Sequence, residues 1–294
     1  MTKKDICQTV TDAIIKQLED GVAPWVKPWN GSNAFVQTSF ASGKAYKGIN
    51  RLILGMSATE NSYRSNKWVT YNQAKKLGGQ VRKGQKSTQV VLYKPVMISD
   101  PKKETGEAVS KSIPLMRTFN VFNIDQIDGI EDADKTTQAI KTWDDLTHVE
   151  VDVKATGAYV HWGHDDNEAY YSPSADFIAM PSKDQFDDAG AYYATLLHEL
   201  THWTGHKSRL DRTNGKVFGD DAYAKEELIA ELGSAFLCGN YGITGKLQHA
   251  SYIKSWLRTL KNDKKLIFKA AAAAQKASDL VLELAAQLPE AEAA

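Results

Sequence analysis

The chain has 294 residues, of which 42% are hydrophobic and 24% charged, a composition typical of a folded globular protein with room for two domains. The formal net charge is zero, the two cysteines form no Cys-x-x-Cys pair, and no uninterrupted apolar run reaches about eighteen residues. These features exclude a disulfide-rich secreted scaffold and a membrane-spanning protein. Because the N-terminal segment does not look like a secretion signal, they predict a cytoplasmic protein with no membrane partner.

The zero net charge hides a strong asymmetry along the chain. Residues 1–130 contain 19 Lys and Arg residues against 10 Asp and Glu residues, whereas residues 131–294 contain 17 against 26. Within residues 21–97 there are 12 basic residues and one acidic residue, Glu60. Because solvated surfaces normally mix the two signs, this pattern predicts that the first half contacts a polyanion, and nucleic acid is the polyanion that we expect.

The first half combines helical and strand patterns. Apolar residues at helical spacing predict a helix over residues 3–20, and a threonine and a glycine mark the start and the end of a short helix at 70–78. Strands are predicted at 88–94 and 116–123, and the polar segment 99–114 reads as an excursion between them.

Aromatic and basic side chains are interleaved at several turns of this half. Rigid aromatic rings beside lysines suit base stacking, and glycine-rich basic turns allow close approach to phosphates. For the two tryptophans at 25 and 29, packing on the preceding helix is an equally good interpretation. The predicted DNA-contact residues are Trp25, Lys27, Trp29, Lys44, Tyr46, Lys47, Arg51, Lys67, Trp68, Arg82, Lys83 and Lys86.

Composition and charge sign both change after residue 130. We therefore predict a basic domain at residues 1–130, a linker at 131–148 and a second domain at 149–294. The overall prediction is an α+β protein of two domains.

The second half begins with strand patterns and continues with helices. Clean alternation predicts a strand at 149–153, and three further strands are predicted between residues 158 and 181. A long amphipathic helix is then predicted at 186–204, with Ser182 and Gln185 at the spacing of a capping box before it.

The long helix carries a His-Glu-Leu-Thr-His sequence that begins at His198. Residues four apart lie on one face of a helix, so His198 and His202 aim at a single point and Glu199 falls beside them. Two neutral imidazoles leave room for a third protein ligand and a water, which is the arrangement of a zinc site. We predict Zn²⁺, with Mn²⁺ as an alternative, and Glu199 as the general base.

The third ligand has to come from elsewhere in the sequence. A metzincin places a third histidine ten residues after the first, where this chain has Ser208, and His206 comes too early. A second predicted helix at 225–237 instead carries Glu227 and Glu231 four residues apart on a largely apolar face. Carboxylates in such a setting are unfavourable unless they are paired or bound to metal.

This spacing of two carboxylates resembles the pattern of thermolysin-type gluzincins. The resemblance makes Glu227 the ligand and Glu231 the carboxylate that holds an imidazole tautomer. The reverse assignment, with Glu231 as the ligand, stays open. It also stays open that both glutamates lie on an exposed helix face and bind no metal. Four residues remain candidates for stabilising an oxyanion: Tyr170, Tyr223, Tyr241 and His206.

Several segments together resemble the ArdC-type antirestriction proteins of conjugative plasmids. They are Leu-Glu-Asp-Gly-Val-Ala-Pro-Trp at 18–25, Tyr-Lys-Gly-Ile-Asn-Arg at 46–51, Trp-Val-Thr-Tyr at 68–71 followed by Gln-Ala at 73–74, Phe-Asn-Ile-Asp-Gln at 122–126, and the segment 198–206. The resemblance spans nearly the whole chain. It implies an N-terminal single-stranded DNA-binding domain, similar to one in plasmid TraC-type primases, joined to a C-terminal zincin-like metallopeptidase domain.

The function implied by this resemblance is protection of incoming conjugative DNA from host restriction. A peptidase site also implies an unidentified protein substrate, and a host restriction component is one candidate. A competing interpretation is a non-catalytic protein that coats single-stranded DNA and has a structural or vestigial metal site. A nuclease or primase-associated enzyme is a weaker interpretation, because the basic half has no acidic cluster that would bind two metals.

Overall fold

The computed structural model describes residues 5–25, 36–99, 110–131, 142–164, 168–212, 221–243 and 250–287, with the backbone alone described at 94–99, 110–115 and 250–251. Helices and strands are mixed throughout, so the predicted α+β class is confirmed. Within these ranges, no helix is long and apolar enough to cross a bilayer.

The described residues of the N-terminal region form three helices and two small sheets. The helices are α1 (Ile6–Glu19), α2 (Ile49–Glu60) and α3 (Tyr71–Lys76). The strands are β1 (Thr38–Ser39), β2 (Lys67–Val69), β3 (Gln80–Val81), β4 (Thr88–Ser99), β5 (Ser110–Asn123) and β6 (Ile127–Asp128). One sheet has the order β1-β2-β5-β4, and β3 pairs with β6 in the other.

The predicted elements of this region are found, and two of them extend further than expected. The α3 helix opens with a reciprocal capping box between Thr70 and Gln73. The strands β4 and β5 form an antiparallel hairpin that runs from the Thr88–Val121 pair to the Ser99–Ser110 pair. Strand pairing therefore continues into both ends of the expected excursion at 99–114.

The C-terminal region packs helices against a three-stranded sheet. Its helices are α4 (Thr147–Ala155), α5 (Ala189–Trp203), α6 (Asp221–Tyr241), α7 (Ala250–Asn262) and α8 (Leu266–Ala285). Its strands are β7 (Tyr159–His164), β8 (Tyr170–Ser172) and β9 (Phe177–Pro181). The central strand β9 is parallel to β7 and antiparallel to β8, which leaves β8 at one edge.

The strand predicted at 149–153 is wrong, because these residues belong to α4. Val149 and Val153 are four residues apart and are 0% and 1% exposed, whereas Val151 between them is 38% exposed. A helix with this spacing buries both outer valines on one face. The Val-Glu-Val-Asp-Val pattern fits both periods, and packing decides between them.

The predicted start of α5 is also corrected. Ser182 precedes a short 3-10 turn (Lys183–Gln185) and makes no side-chain capping bond. The N-cap of α5 is Asp188, whose carboxylate accepts a hydrogen bond from the backbone N–H of Ala191 at 2.8 Å.

A hydrophobic core joins the N-terminal helices to the C-terminal ones. Buried residues of α1 and α2, such as Ile14 and Leu52, share this core with Leu232 of α6 and Trp256 of α7. A second core lies around α4, α5 and the β7–β9 sheet. Apolar packing therefore crosses the predicted domain boundary, which remains a prediction. Of the predicted linker at 131–148, residues 132–141 lie outside the described residues, and residues 144–148 form a short 3-10 turn and the start of α4.

Candidate metal centre

The histidine pair is carried by α5, which is buried on most of its surface. Leu196, Leu197 and Leu200 are each 0% exposed, so the apolar faces of the helix fix its position. The rings of His198 and His202 lie on the side that faces α6. Glu199 is 8% exposed and follows the first histidine directly.

Close packing brings α6 against this face of α5. The Ser234 hydroxyl of α6 donates a hydrogen bond to the Ala194 carbonyl of α5 at 2.7 Å. Gly233 lies so close to α5 that a Cβ on it would be 2.4 Å from Cγ2 of Thr201. A small residue at this crossing therefore sets the distance between the helix with the histidines and the helix with the glutamates.

Three side chains converge on one point between the helices. His198 Nε2 lies 3.2 Å from His202 Nε2, and the Glu227 carboxylate lies 3.5 Å from the first nitrogen and 3.6 Å from the second. Ligand atoms about 2.1 Å from a tetrahedral cation are about 3.4 Å apart. The observed spacings thus fit a divalent cation held by two imidazoles and one carboxylate, a donor set that suits zinc or manganese.

The opposite nitrogen of each imidazole faces another carboxylate. His198 Nδ1 lies 3.5 Å from Glu231 Oε1, and His202 Nδ1 lies 3.5 Å from Glu226 Oε1. Glu231 is therefore on the side away from the point of convergence, where it can orient an imidazole. The sequence did not predict this contact of Glu226. Glu226 directly precedes Glu227, and the sequence alone does not indicate which side chain each of two adjacent glutamates contacts.

Burial and neighbouring charge act in opposite directions on these groups. Burial lowers the pKa of His202, but its contacts with Glu226 and Glu227 outweigh burial and raise the pKa to about 10. Burial raises the pKa of Glu227, and the two histidines reverse this shift and hold the pKa below its usual range. Burial raises the pKa of Glu231 to about 8. A cation at the point of convergence would replace the proton that His202 otherwise holds.

The four candidates for oxyanion stabilisation are placed very differently. Tyr223 lies one turn before Glu227 on α6, and its hydroxyl contacts Glu227 and lies 3.2 Å from the hydroxyl of Tyr252. Tyr241 lies fourteen residues beyond Glu227 on the same helix, about 21 Å along its axis. Tyr170 is exposed on the edge strand β8.

The last candidate, His206, belongs to the loop after α5. Its Nδ1 lies 2.8 Å from the Ser208 hydroxyl and 3.9 Å from the Asp176 carboxylate. Those two residues are therefore its neighbours, and it does not join the cluster of His198, His202 and Glu227.

Burial contradicts DNA contact for three of the predicted residues. Trp25, Arg51 and Trp68 are 3%, 4% and 0% exposed, so none of them presents a face to a base or a phosphate. The Trp25 ring packs edge-on against Trp256 at 5.5 Å. Arg51 donates a hydrogen bond to the Phe236 carbonyl at 3.1 Å and lies over the same residue's ring. Trp25 and Arg51 thus pack at the shared core, and Trp68 packs in a separate cluster with Leu54 and Val121.

The remaining predicted DNA contacts differ in how available they are. Lys47 and Arg82 are exposed but form ion pairs with Asp279 and Asp128. Tyr46 is half-buried against a core cluster, and Lys67 lies over the Phe40 ring. The exposed set is Lys44, Lys83 and Lys86. Lys27 and Trp29 lie outside the described residues.

Two family models match this chain. Residues 4–122 match a model described as the N-terminal domain of anti-restriction factor ArdC, and residues 147–273 match a model described as a zincin-like metallopeptidase. The second match contains both histidines and all the glutamates of the cluster. The zincin-like domain implies a bound metal, in agreement with the geometry.

Relatives match along nearly the whole chain. The DNA primase TraC of Escherichia coli is 39% identical over 95% of this chain, which spans about a quarter of the length of TraC (27%). The uncharacterized protein y4eC of Sinorhizobium fredii is 36% identical over 95% of this chain and 92% of its own length.

Two solved structures are also similar to this chain over nearly its whole length. The metal-free crystal structure of the antirestriction protein ArdC from plasmid R388 is 44% identical, with a TM-score of 0.83 over 98% of this chain and 100% of that one. Its Mn(II)-bound structure is 43% identical, with a TM-score of 0.80 over 97% and 100% of the two chains. The two domain matches and these alignments confirm the resemblance found in the sequence: the chain belongs to the ArdC family of antirestriction proteins.

Proposed function

We propose that this protein protects incoming plasmid DNA by binding it as a single strand, and that it also hydrolyses a peptide bond at a divalent metal site. The observation that carries the peptidase half is the convergence of His198, His202 and Glu227, with spacings of 3.2 to 3.6 Å. The existence of a Mn(II)-bound structure of the R388 protein supports metal binding by this chain. Zn²⁺ and Mn²⁺ both suit this donor set.

Each residue of the cluster has a distinct part in the proposed hydrolysis. His198, His202 and Glu227 hold the cation, which when bound polarises the scissile carbonyl and acidifies a water. Glu199 accepts the proton of that water and returns it to the departing amine. The Tyr223 hydroxyl, one turn from Glu227, donates a hydrogen bond to the oxyanion that develops on the carbonyl oxygen.

Substitution of Glu199 separates metal binding from catalysis. Glu199→Gln keeps all three ligands, so we expect unchanged Mn²⁺ affinity and no cleavage of a proteome-derived peptide library. Tyr223→Phe should lower the cleavage rate about a hundredfold while metal affinity stays the same. Wild-type cleavage by a metal-loaded Glu199→Gln variant would show that Glu199 is not the base.

The β4–β5 hairpin supports the DNA-binding half of the proposal. Phe119 is 43% exposed, and Arg117 lies two residues away on the same face of β5 and is also exposed. An exposed ring beside a guanidinium can stack on a base and contact a phosphate. Arg117 adds an exposed cation to the exposed lysines of the basic half, Lys44, Lys83 and Lys86. Phe119 provides an exposed aromatic ring, which the buried Trp25 and Trp68 do not.

A matched pair of variants tests the hairpin. Stacking contributes about 1–3 kcal/mol per base, so Phe119→Ala should weaken binding of a fluorescent oligodeoxythymidine by about 5- to 150-fold. Tyr159→Ala is the control, because Tyr159 is 69% exposed but lies in the acidic half. Equal effects of the two substitutions would contradict a DNA contact at the hairpin.

The competing proposal is that the protein protects DNA by coating it, without proteolysis. The exposed residues of the hairpin favour it, because they can bind DNA without any contribution from the metal site. If protection depends on proteolysis, the wild-type protein cleaves a protein substrate, and a host restriction component is one candidate. Glu199→Ala then abolishes antirestriction during conjugation. Under coating, Glu199→Ala protects as well as the wild-type protein and Phe119→Ala does not.

A further inference from the structure

The two nitrogens of the His202 ring face different carboxylates. Nε2 points to the cluster, 3.6 Å from Glu227, while Nδ1 lies 3.5 Å from Glu226 Oε1 on the other side. Glu226 is 5% exposed, so little water competes with the imidazole for its carboxylate. An imidazole can bind a cation through Nε2 only when its proton is on Nδ1, and an acceptor at Nδ1 favours that tautomer.

Arg212 fixes this acceptor. Its Nη2 donates to Glu226 Oε1 at 2.8 Å, and its Nε lies 3.2 Å from both carboxylate oxygens. The same guanidinium donates to the Thr201 carbonyl at 2.7 Å and to the Thr204 hydroxyl at 2.8 Å, at the C-terminal end of α5. One side chain therefore ties the end of the histidine helix to the glutamate beside His202.

The backbone at Gly205 makes room for this arrangement. A Cβ at residue 205 would lie 2.8 Å from Nη2 of Arg212. The guanidinium is thus held in a confined position, with a side-chain exposure of 11%. A planar, confined fork of donors suits the orientation of a carboxylate better than a flexible ammonium would.

We propose that Glu226, held by Arg212, is a positioning residue for His202: its carboxylate accepts a hydrogen bond from the Nδ1–H, which keeps the proton on Nδ1 and presents Nε2 to the metal. The inference rests on the proposed function, because it assumes that His202 is a metal ligand. It also makes metal affinity depend on Arg212, a residue of the loop after α5. A purely structural role of the Arg212–Glu226 pair would stabilise the loop without acting on the imidazole.

A second ion pair in the same loop provides a matched control. Arg209 forms hydrogen bonds with both carboxylate oxygens of Asp176, and its side chain is 13% exposed. This pair braces the loop against the turn before β9 and makes no contact with His198 or His202. Asp176→Asn therefore loosens the loop in a comparable way but leaves the imidazoles alone.

The test measures metal affinity and the histidine tautomer in the full chain. Dissociation constants for Mn²⁺ and Zn²⁺ are measured by competition with a chelating dye for the wild type, Glu226→Ala, Glu226→Gln and Asp176→Asn. We expect Glu226→Ala to weaken both metals by about 10- to 100-fold. Glu226→Gln should recover part of this loss, since its amide oxygen still accepts the Nδ1 proton, and Asp176→Asn should stay within about twofold of the wild type.

Nitrogen NMR of the histidine rings shows which ring nitrogen carries the proton, and Asp176→Asn controls for any effect of loop stability on its exchange with water. In the zinc-loaded wild type, we expect the Nδ1 proton of His202, assigned with His202→Asn, to be protected from exchange with water, and Glu226→Ala to remove that protection. If Glu226→Ala fails to fold, Arg212→Lys replaces it, with weaker metal binding expected because the fork is lost. Affinity within twofold of the wild type for the Glu226 or Arg212 variant, or an equal loss in Asp176→Asn, overturns the proposal. Failure of the wild type to bind either metal refutes the proposed function itself.

Discussion

The crossing of α5 and α6 predicts that Gly233→Ala damages both stability and metal binding. The added methyl would lie 2.4 Å from Cγ2 and 2.7 Å from Oγ1 of Thr201. Thr201 is 0% exposed, and its hydroxyl donates to the Leu197 carbonyl at 2.7 Å, so it cannot move aside without losing that bond. The helices must separate instead.

The expected magnitude follows from two opposing effects. Overpacking of a well-packed core costs about 3 kcal/mol at the upper end of its usual range, which suits an overlap this severe. Replacement of glycine by alanine inside a helix returns about 1 kcal/mol. We therefore expect the free energy of unfolding to fall by about 2 kcal/mol. Glu227 lies on the same helix, so its displacement from the two histidines should also weaken Mn²⁺ binding.

A double-mutant cycle with Thr201→Ala measures the clash directly. Urea unfolding followed by tryptophan fluorescence, together with Mn²⁺ titration, is applied to the wild type, both single variants and the double variant. Thr201→Ala removes the two closest atoms, so the double variant should be more stable than the sum of the single effects by about 3 kcal/mol, the whole cost of overpacking, because the helix-propensity gain is additive and cancels in the cycle. The reasoning is refuted if Gly233→Ala is as stable as the wild type, or if the two substitutions are additive.

Three further predictions test other parts of the molecule. A hydrogen bond from the Arg209 guanidinium holds the pKa of Asp176 below the ordinary value of 3.8 for an aspartate. The stability advantage of the wild type over Asp176→Asn should therefore be complete above about pH 4 and be lost as the pH falls through the folded pKa, which urea unfolding at pH 7 and pH 3 would measure. Trp25→Ala should lower the free energy of unfolding by about 3–5 kcal/mol, while oligonucleotide affinity of the folded protein stays within twofold. The double substitution Lys83→Ala/Lys86→Ala should reduce the salt slope of single-strand binding by about 1.4, with Lys276→Ala on α8 leaving that slope unchanged.

The local part of the metal centre could be predicted from the sequence because a helix fixes the geometry of residues four apart. His198, Glu199 and His202 needed only that rule. The apolar face of a second helix indicated both Glu227 and Glu231, and the choice of Glu227 as the ligand rested on the resemblance to thermolysin-type gluzincins. The partners of His202 on its other side could not be predicted in the same way. Arg212 reaches Glu226 from a loop, and loop geometry depends on contacts that no periodicity encodes.

The basic half shows a different limit. Charge counts located it, but they could not separate exposed from buried members of the same aromatic and basic segments. Trp25 and Arg51 are covered by α7 and α6, which come about 200 residues later in the chain. The error at 149–153 has a similar origin, since five alternating residues fit a strand as well as a helix and only the surrounding core selects one.

The core shared by α1, α2, α6 and α7 bears on how such a protein can be inherited. A break at residue 130 would leave the apolar faces of the first two helices without the later helices that cover them. Recombination that moves either half alone would therefore be selected against at the level of folding. The alignment with Escherichia coli TraC agrees with this, since it takes in both halves together: 95% of this chain matches 27% of the primase.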